Sequence, residues 1–335
     1  MDRTTAEKEW LRRISGGKPA APQGKPTSDQ TSDQSSSKSR PRPKPQPTAK
    51  KHGNGFGDIA GMEDLKQRVK EGFINVLQHR DLADAYGIRP PSMLFYGPAG
   101  CGKTFFAEKM AEEVGIHFIK VVPDDLASTM VHGTQEKIGE VFKNAERHAP
   151  ALLFFDEFDA MVPRRTGNEY NQHYDSEVNE FLCMLNHASD KGVYVLAATN
   201  HPECIDKAVL RTGRIDELVY VDMPDHEARK SLFALELAKL PREEDIDMDR
   251  LAHLTQGFNC SDINYIVKSA ARKKFNEAIG CGEHTLQNIT QKQLEEIISG
   301  RSPSVSSRDL REYQRVHREF SPKDKGGQPA SIGFR

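Results

Sequence analysis

Between an apolar run at 92–96 and an amphipathic stretch opening near Lys103 lies the octet Gly97-Pro98-Ala99-Gly100-Cys101-Gly102-Lys103-Thr104, which fits GxxxxGK[ST]. Few folds can accommodate it. The glycines let successive backbone N–H groups turn inward into a nest at a helix N-terminus, where the helix dipole favours negative charge. In that setting Lys103 is expected to reach the β- and γ-phosphates of a nucleotide, and the Thr104 hydroxyl to take one position around Mg²⁺. The competing reading is a glycine-rich turn without ligand; the strand before and the helix after weigh against it.

The rest of the chain supplies a matching scaffold. Apolar, β-prone segments at 92–96, 117–122, 151–155, 193–198 and 218–221 alternate with amphipathic stretches, and four of the five are followed by a helical pattern. This predicts an α/β fold with a parallel sheet covered by helices on both faces. From about Asp225 helical periodicity takes over, at 227–238, 248–255, 261–278 and 291–298. The expected organisation is a tail over 1–55, a large α/β domain over 56–224, a small helical lid domain over 225–320 and a flexible end over 321–335.

Composition bounds the remainder. Hydrophobic residues are 36% and charged residues 29% of 335, which suits a soluble chain with an ordinary core. No apolar run approaches the ~18 residues of a membrane span, and the charged first fifteen residues hold no secretory signal core. Five scattered cysteines never spaced as CxxC argue against a disulfide framework or a zinc site, and fit a reducing cytosol. The net charge of −2 conceals an asymmetry: residues 1–55 hold 12 Lys/Arg against 5 Asp/Glu, and the remainder 35 against 44.

Within the tail, 7–14 reads either as a short docking helix with Trp10, Leu11 and Ile14 on one side or as a frayed terminus. Residues 15–54 are Pro, Ser, Lys, Gln and Gly with almost no large apolar residue, so burial cannot offset the entropy of ordering them. A basic tether can meet nucleic acid or an acidic surface, but this one lacks interleaved aromatics for base stacking.

Further along, Ala151-Leu-Leu-Phe-Phe-Asp156-Glu157 is a buried strand ending in two carboxylates. The carboxyl edge of a parallel sheet is where such folds bind ligands. Asp156 is expected to hold Mg²⁺ through water, and Glu157 to polarise the attacking water, a general-base role worth ~10²–10⁴ in rate. Asn200 ends the next apolar strand and should lie beside them, orienting the water or the γ-phosphate. Arg211 and Arg214 sit three apart beyond the sheet. They read either as a surface salt-bridge cluster or as fingers acting in trans, which in GTPases are worth ~10³–10⁵.

Taken together, Asp58-Ile-Ala-Gly61, 90–104, Asp156-Glu157, Ala198-Thr-Asn200 and Leu210-Arg-Thr-Gly-Arg-Ile-Asp216 resemble an AAA ATPase, and Gly257-Phe258-Asn-Cys-Ser-Asp-Ile263 resembles the start of that family's lid helix beside the adenine. The resemblance covers about residues 56–320. It implies ATP and Mg²⁺ as ligands, with Ile59, Ala60, Gly257 and Phe258 near the base and 97–105, ending in Phe105, around the phosphates. It also implies a homo-hexamer in which Arg211 and Arg214 serve the neighbour's ATP and Asn200 is the first sensor. The segment 302–313 is similar to the C-terminal helix of single-cassette members, which include microtubule-severing, filament-disassembling and segregase enzymes.

Departures from the family pattern are visible. Substrate-gripping members carry an aromatic–hydrophobic–Gly loop, where this chain has Met130 and Val131 without an aromatic. Glu236 stands where many members carry an adenine-side His. Cys101 replaces a Thr and reads as a redox-sensitive thiol or an inert small residue. The expected function is ATP hydrolysis by a ring that remodels an unidentified protein client, without membrane insertion. A nucleic-acid motor and an ATP-switched scaffold are the alternatives, the first opposed by the acidic body. No HExxH follows, which excludes a fused zinc protease of that type.

Overall fold

The five apolar runs form one all-parallel sheet. The structure, a computed structural model, describes residues 53–127, 133–164, 172–211, 213–280 and 286–320, all within one compact unit. The tail with the stretch 7–14, the residues Met130 and Val131, and 321–335 lie outside the described residues. The strands are β1 (Met93–Tyr96), β2 (His117–Val121), β3 (Ala151–Phe155), β4 (Val193–Thr199) and β5 (Glu217–Tyr220), in the order β2-β3-β4-β1-β5.

Period-two alternation sorts each buried strand between two cores. Met93 and Phe95 of β1, Leu152 and Phe154 of β3, and Tyr194, Leu196 and Ala198 of β4 enter one apolar cluster; Leu94, Leu153, Phe155, Val193, Val195 and Ala197 enter the other. Helix α1 (Glu63–Val69) and helix α2 (Lys103–Val114), through Phe106, Met110 and Val114, cover the first. Helices α3 (Gly133–Arg147) and α4 (Gln172–Ala188) cover the second through Ile138, Phe142, Phe181 and Leu185. Each fully buried Leu or Phe stabilises by about 1.5–3 kcal/mol, which is why both faces read as continuous apolar runs.

Strand ends differ from the periodicity by single residues, for local reasons. Val122 leaves β2 because Pro123 starts a short helix, and its N–H donates to Asp125 Oδ2 at 2.9 Å. Ser92 stays outside β1, its carbonyl accepting from Asp216 N and Glu217 N at 2.9 and 3.1 Å. Glu217 thereby joins β5 opposite Met93.

Among the described residues no strand follows β5. Helices α5 (His226–Leu237), α6 (Met248–Leu254), α7 (Cys260–Gly280) and α8 (Gln291–Ser299) lie within two residues of where periodicity places them. Asp225, Asp247 and Thr290 cap three of them, accepting from Ala228 N, Arg250 N and Gln293 N. Phe233, Leu251, Ile266 and Leu294 close a third apolar cluster between them. Helix α9 (Ser307–Phe320) then returns to the sheet. Its His317 stacks on Tyr220 at 4.1 Å between centroids and meets Tyr96 Oη through Nδ1 at 2.8 Å. No helix among the described residues is long and apolar enough to cross a membrane.

Candidate active site

Strand order decides what meets at the carboxyl edge. Because β4 lies between β1 and β3, Asn200 at its end stands between the loop that follows β1 and the carboxylates that follow β3. Lys103 completes the convergence: its Nζ donates to Asn200 Oδ1 at 2.7 Å, and to the carbonyls of Gly97 and Pro98 at 2.9 and 2.8 Å. The side chain is 8% exposed. Burial, only partly opposed by Asp156 and other neighbours, pulls its pKa down to about 8.

Two glycines permit the loop to close on its surroundings. Gly97, at φ 140°, lies where a Cβ would stand 2.2 Å from the Val221 carbonyl; Gly100, at φ 75°, where one would stand 2.5 Å from Asn259 Nδ2. Cys101 is fully buried, with Sγ 3.5 Å from Met223 Sδ, and desolvation pushes its thiol up to about 12. The thiol is therefore protonated at neutral pH, which favours the inert reading over the redox one. Phe105, the third residue of α2, is 45% exposed, and its ring centroid lies 5.5 Å from Lys109 Nζ.

Around the expected metal position, Thr104 Oγ1 donates to Asp156 Oδ2 at 3.0 Å. A hydroxyl and a carboxylate side by side are the hard oxygen donors that Mg²⁺ takes, so the residues fit the ion. Sequence reasoning missed a third partner: Lys120, near the end of β2, places Nζ 2.8 Å from the same carboxylate oxygen. The one available signal was position, since β2 and β3 are register neighbours. Glu157 follows with φ 53°, a left-handed conformation rare for a non-glycine residue, and is exposed. Thr199 Oγ1 fixes the neighbouring strand end, donating to Asp159 Oδ1 at 2.5 Å and accepting from His201 N at 2.8 Å.

The segment carrying Ile59 and Ala60 is pinned onto α2. Asp58 pairs with Lys109 at 2.9 Å, Phe56 N donates to Glu113 Oε2 at 3.1 Å, and the Phe56 and Phe106 rings lie 5.3 Å apart. The hydrogen bond from Lys109 leads the causes that hold the Asp58 carboxyl below its ordinary range. Ile59 is itself buried in the first cluster, and Ala60 is half-buried. Phe258 turns its side chain into the helical core at 4% exposure and its N–H donates to Thr255 O at 3.0 Å, while Gly257 beside it holds φ 82°. Glu236 pairs with Lys239 at 3.0 Å.

Arg211 and Arg214 occupy the turn after β4. Arg211 is exposed, and Arg214 donates through Nη1 to Ala208 O at 2.7 Å. Asp216 braces the turn, accepting from Gly213 N at 2.8 Å and Ser92 N at 3.2 Å. Among the described residues neither arginine hydrogen-bonds or ion-pairs with Lys103, Asp156 or Glu157.

Two further residues of the 257–263 motif, Asn259 and Asp262, carry no recognisable signal of a role in the sequence. In the structure both are buried, and Asn259 reaches the P-loop at Ala99.

Comparison with known proteins agrees with this geometry. Residues 93–223 match the family described as ATPase family associated with various cellular activities (AAA). The chain is 33% identical over 273 residues, 78% of its length, to a cell division cycle protein 48 homolog of Archaeoglobus fulgidus. It is 34% identical over 241 residues, 71% of its length, to a protein of Plasmodium falciparum named as a cell division cycle ATPase. It spans only 37% and 19% of those two relatives. With the P-loop, the paired carboxylates and the strand-end asparagine gathered at one sheet edge, the chain belongs to the AAA ATPase family.

Proposed function

We propose that this chain hydrolyses ATP to ADP and phosphate as a subunit of a homo-hexameric ring that remodels protein clients. The observation that carries the reading is the pairing of Lys103 with Asn200 and of the adjacent Thr104 with Asp156 at the ends of three adjacent strands. Lys103 is held by neutral carbonyls and an amide, so phosphate oxygens can replace those partners at little cost while supplying the charge that burial has made scarce.

Thr104 and Asp156 would hold Mg²⁺, which neutralises phosphate charge when bound. Glu157 stands one residue beyond, where its carboxylate can take a proton from the attacking water. Asn200 orients the γ-phosphate side of the site through the same amide that now holds Lys103.

An exposed Arg211 and a half-buried Arg214, neither bonded to a carboxylate among the described residues, suit a role at a neighbouring subunit's nucleotide. The protein-remodelling reading draws on the family and on the acidic charge outside the tail. Cys101, Cys183, Cys204 and Cys260, free among the described residues, fit a reducing cytoplasm. Glu157→Gln is the test. It should bind ATP like the wild type and lose turnover by ~10²–10⁴; retained turnover would reject the assignment of the base.

A further inference from the structure

A buried polar pair of the helical region stands at the P-loop. Asn259 is 3% exposed and Asp262 1%. Asn259 Nδ2 donates to Ala99 O and to Ser304 Oγ, each at 3.0 Å, while its Oδ1 accepts from Asp262 N at 2.8 Å. The loop packs directly against that amide at Gly100, whose carbonyl accepts from Ser261 N at 3.1 Å.

A second layer stands behind the first. The Asp262 carboxylate accepts from Arg301 Nη2 at 2.8 Å, Ser304 N at 3.1 Å and Ser304 Oγ at 2.9 Å. The Arg301 guanidinium lies over the Tyr265 ring at 4.1 Å. Burial alone would raise the Asp262 carboxyl, but hydrogen bonds from Arg301, Ser304 and the Asn259 N–H outweigh it and hold the group ionised. Residues 301–304 thus brace the amide that touches the loop.

A phosphate nest needs its N–H groups inward and its carbonyls outward. Were the Ala99 carbonyl to swing in, it would present a partial negative charge to phosphate oxygens. We propose that Asn259 is a positioning residue for nucleotide binding, its amide holding the Ala99 carbonyl out of the nest and its own place set by Asp262, Arg301 and Ser304. The inference rests on the reading of the chain as an ATP-binding enzyme. Asn259 contacts the loop at 99–100 and not Lys103, Asn200 or Asp156, so its effect falls equally on ATP and ADP and spares the chemical step.

The experiment measures affinity for fluorescent ATP and ADP analogues on the full chain, with kcat at saturating ATP and thermal stability without nucleotide. Asn259→Asp keeps the shape and the acceptor for Asp262 N but loses the donor to Ala99; Asn259→Ala loses both. Each should raise the Kd of both nucleotides about ten-fold at an unchanged ATP/ADP ratio, with kcat within about three-fold of wild type. Ser304→Ala, at a residue that touches Asn259 and makes no hydrogen bond to the loop among the described residues, should weaken both nucleotides in the same sense by about two- to three-fold. Unchanged affinity, a shift for ATP alone, or a fall in kcat with affinity intact would overturn the proposal. If the Asn259 variants fail to fold, Ser304→Ala decides, and an unchanged Kd there overturns it. A wild-type chain that binds neither nucleotide removes the enzymatic reading and this inference together, whereas wild-type binding with unaltered variants removes this inference alone.

Discussion

Lys103 donates to Asn200 Oδ1 at 2.7 Å across 97 positions of sequence, joining the loop after β1 to the end of β4. On the proposed reading phosphate would draw Lys103 from this strand-end amide, so the contact would be exchanged on nucleotide binding. Asn200→Ala should retain ATP binding and lose turnover by about 10²-fold, as removal of one preorganised polar group does elsewhere. Steady-state kinetics beside equilibrium binding checks this; equal losses of affinity and turnover would place Asn200 in ground-state binding.

The same lysine makes binding depend on pH. Its pKa is about 8 in the folded chain against 10.5 for the free side chain. Phosphate charge favours the ammonium, so ATP binding should take up protons between those values and none well below pH 8. Affinity should therefore fall as pH rises through 8. Titration calorimetry at pH 8.5 in buffers of different ionisation heat reads the uptake directly. The unliganded protein should move the other way: the unfolded chain keeps the proton longer, so this residue's contribution to stability rises with pH above 8.

Glu157 holds φ 53°, a conformation costing a non-glycine residue about 1–2 kcal/mol. Asparagine tolerates that region better than glutamate or glutamine. Glu157→Asn should raise the melting temperature by about 2–4 °C while abolishing turnover, and Glu157→Gln should leave it unchanged. Calorimetry of both variants separates backbone strain from lost chemistry.

Lys120 sits 2.8 Å from Asp156 Oδ2, the oxygen that also accepts from Thr104. A resident ammonium competes with a divalent ion for that carboxylate. Lys120 is 42% exposed, so solvent and salt screen the effect. Lys120→Met should lower the Mg²⁺ concentration that half-saturates nucleotide binding by about two- to five-fold, and added salt should shrink the difference. A rise would mean that the ammonium assists the phosphates.

These relationships divide by how sequence encodes them. The five strands and the four helices before α9 follow from apolar period and capping residues, because Leu94, Phe154 and Val195 have no second way to be buried and Asp225 and Thr290 announce a helix start. Asn200 was placed near Asp156 on strand register alone, and it stands at the end of the strand next to β3. The Asn259–Ala99 contact was not legible: it spans 160 positions and depends on how the helical region packs on the loop, which no local window contains. Lys120 meets Asp156 only through the pairing of β2 with β3, so its own sequence window carries no sign of the contact. The positive φ of Glu157 left no trace, because glutamate has no preference that signals it. Phe258, expected beside the base from its motif, sends its side chain into the helical core, a burial that the motif spacing does not signal.

Whether the arginines act on the chain that carries them or on the next one is the question on which the ring account turns. Glu157→Gln and Arg214→Ala, each prepared alone, should hydrolyse ATP at least ~10²-fold more slowly than wild type. Mixed and allowed to co-assemble, they should regain partial turnover, because some interfaces then pair an intact Glu157 with a neighbour's intact Arg214. A mixture as inactive as its components, or an Arg214→Ala chain that turns over at the wild-type rate, would contradict it.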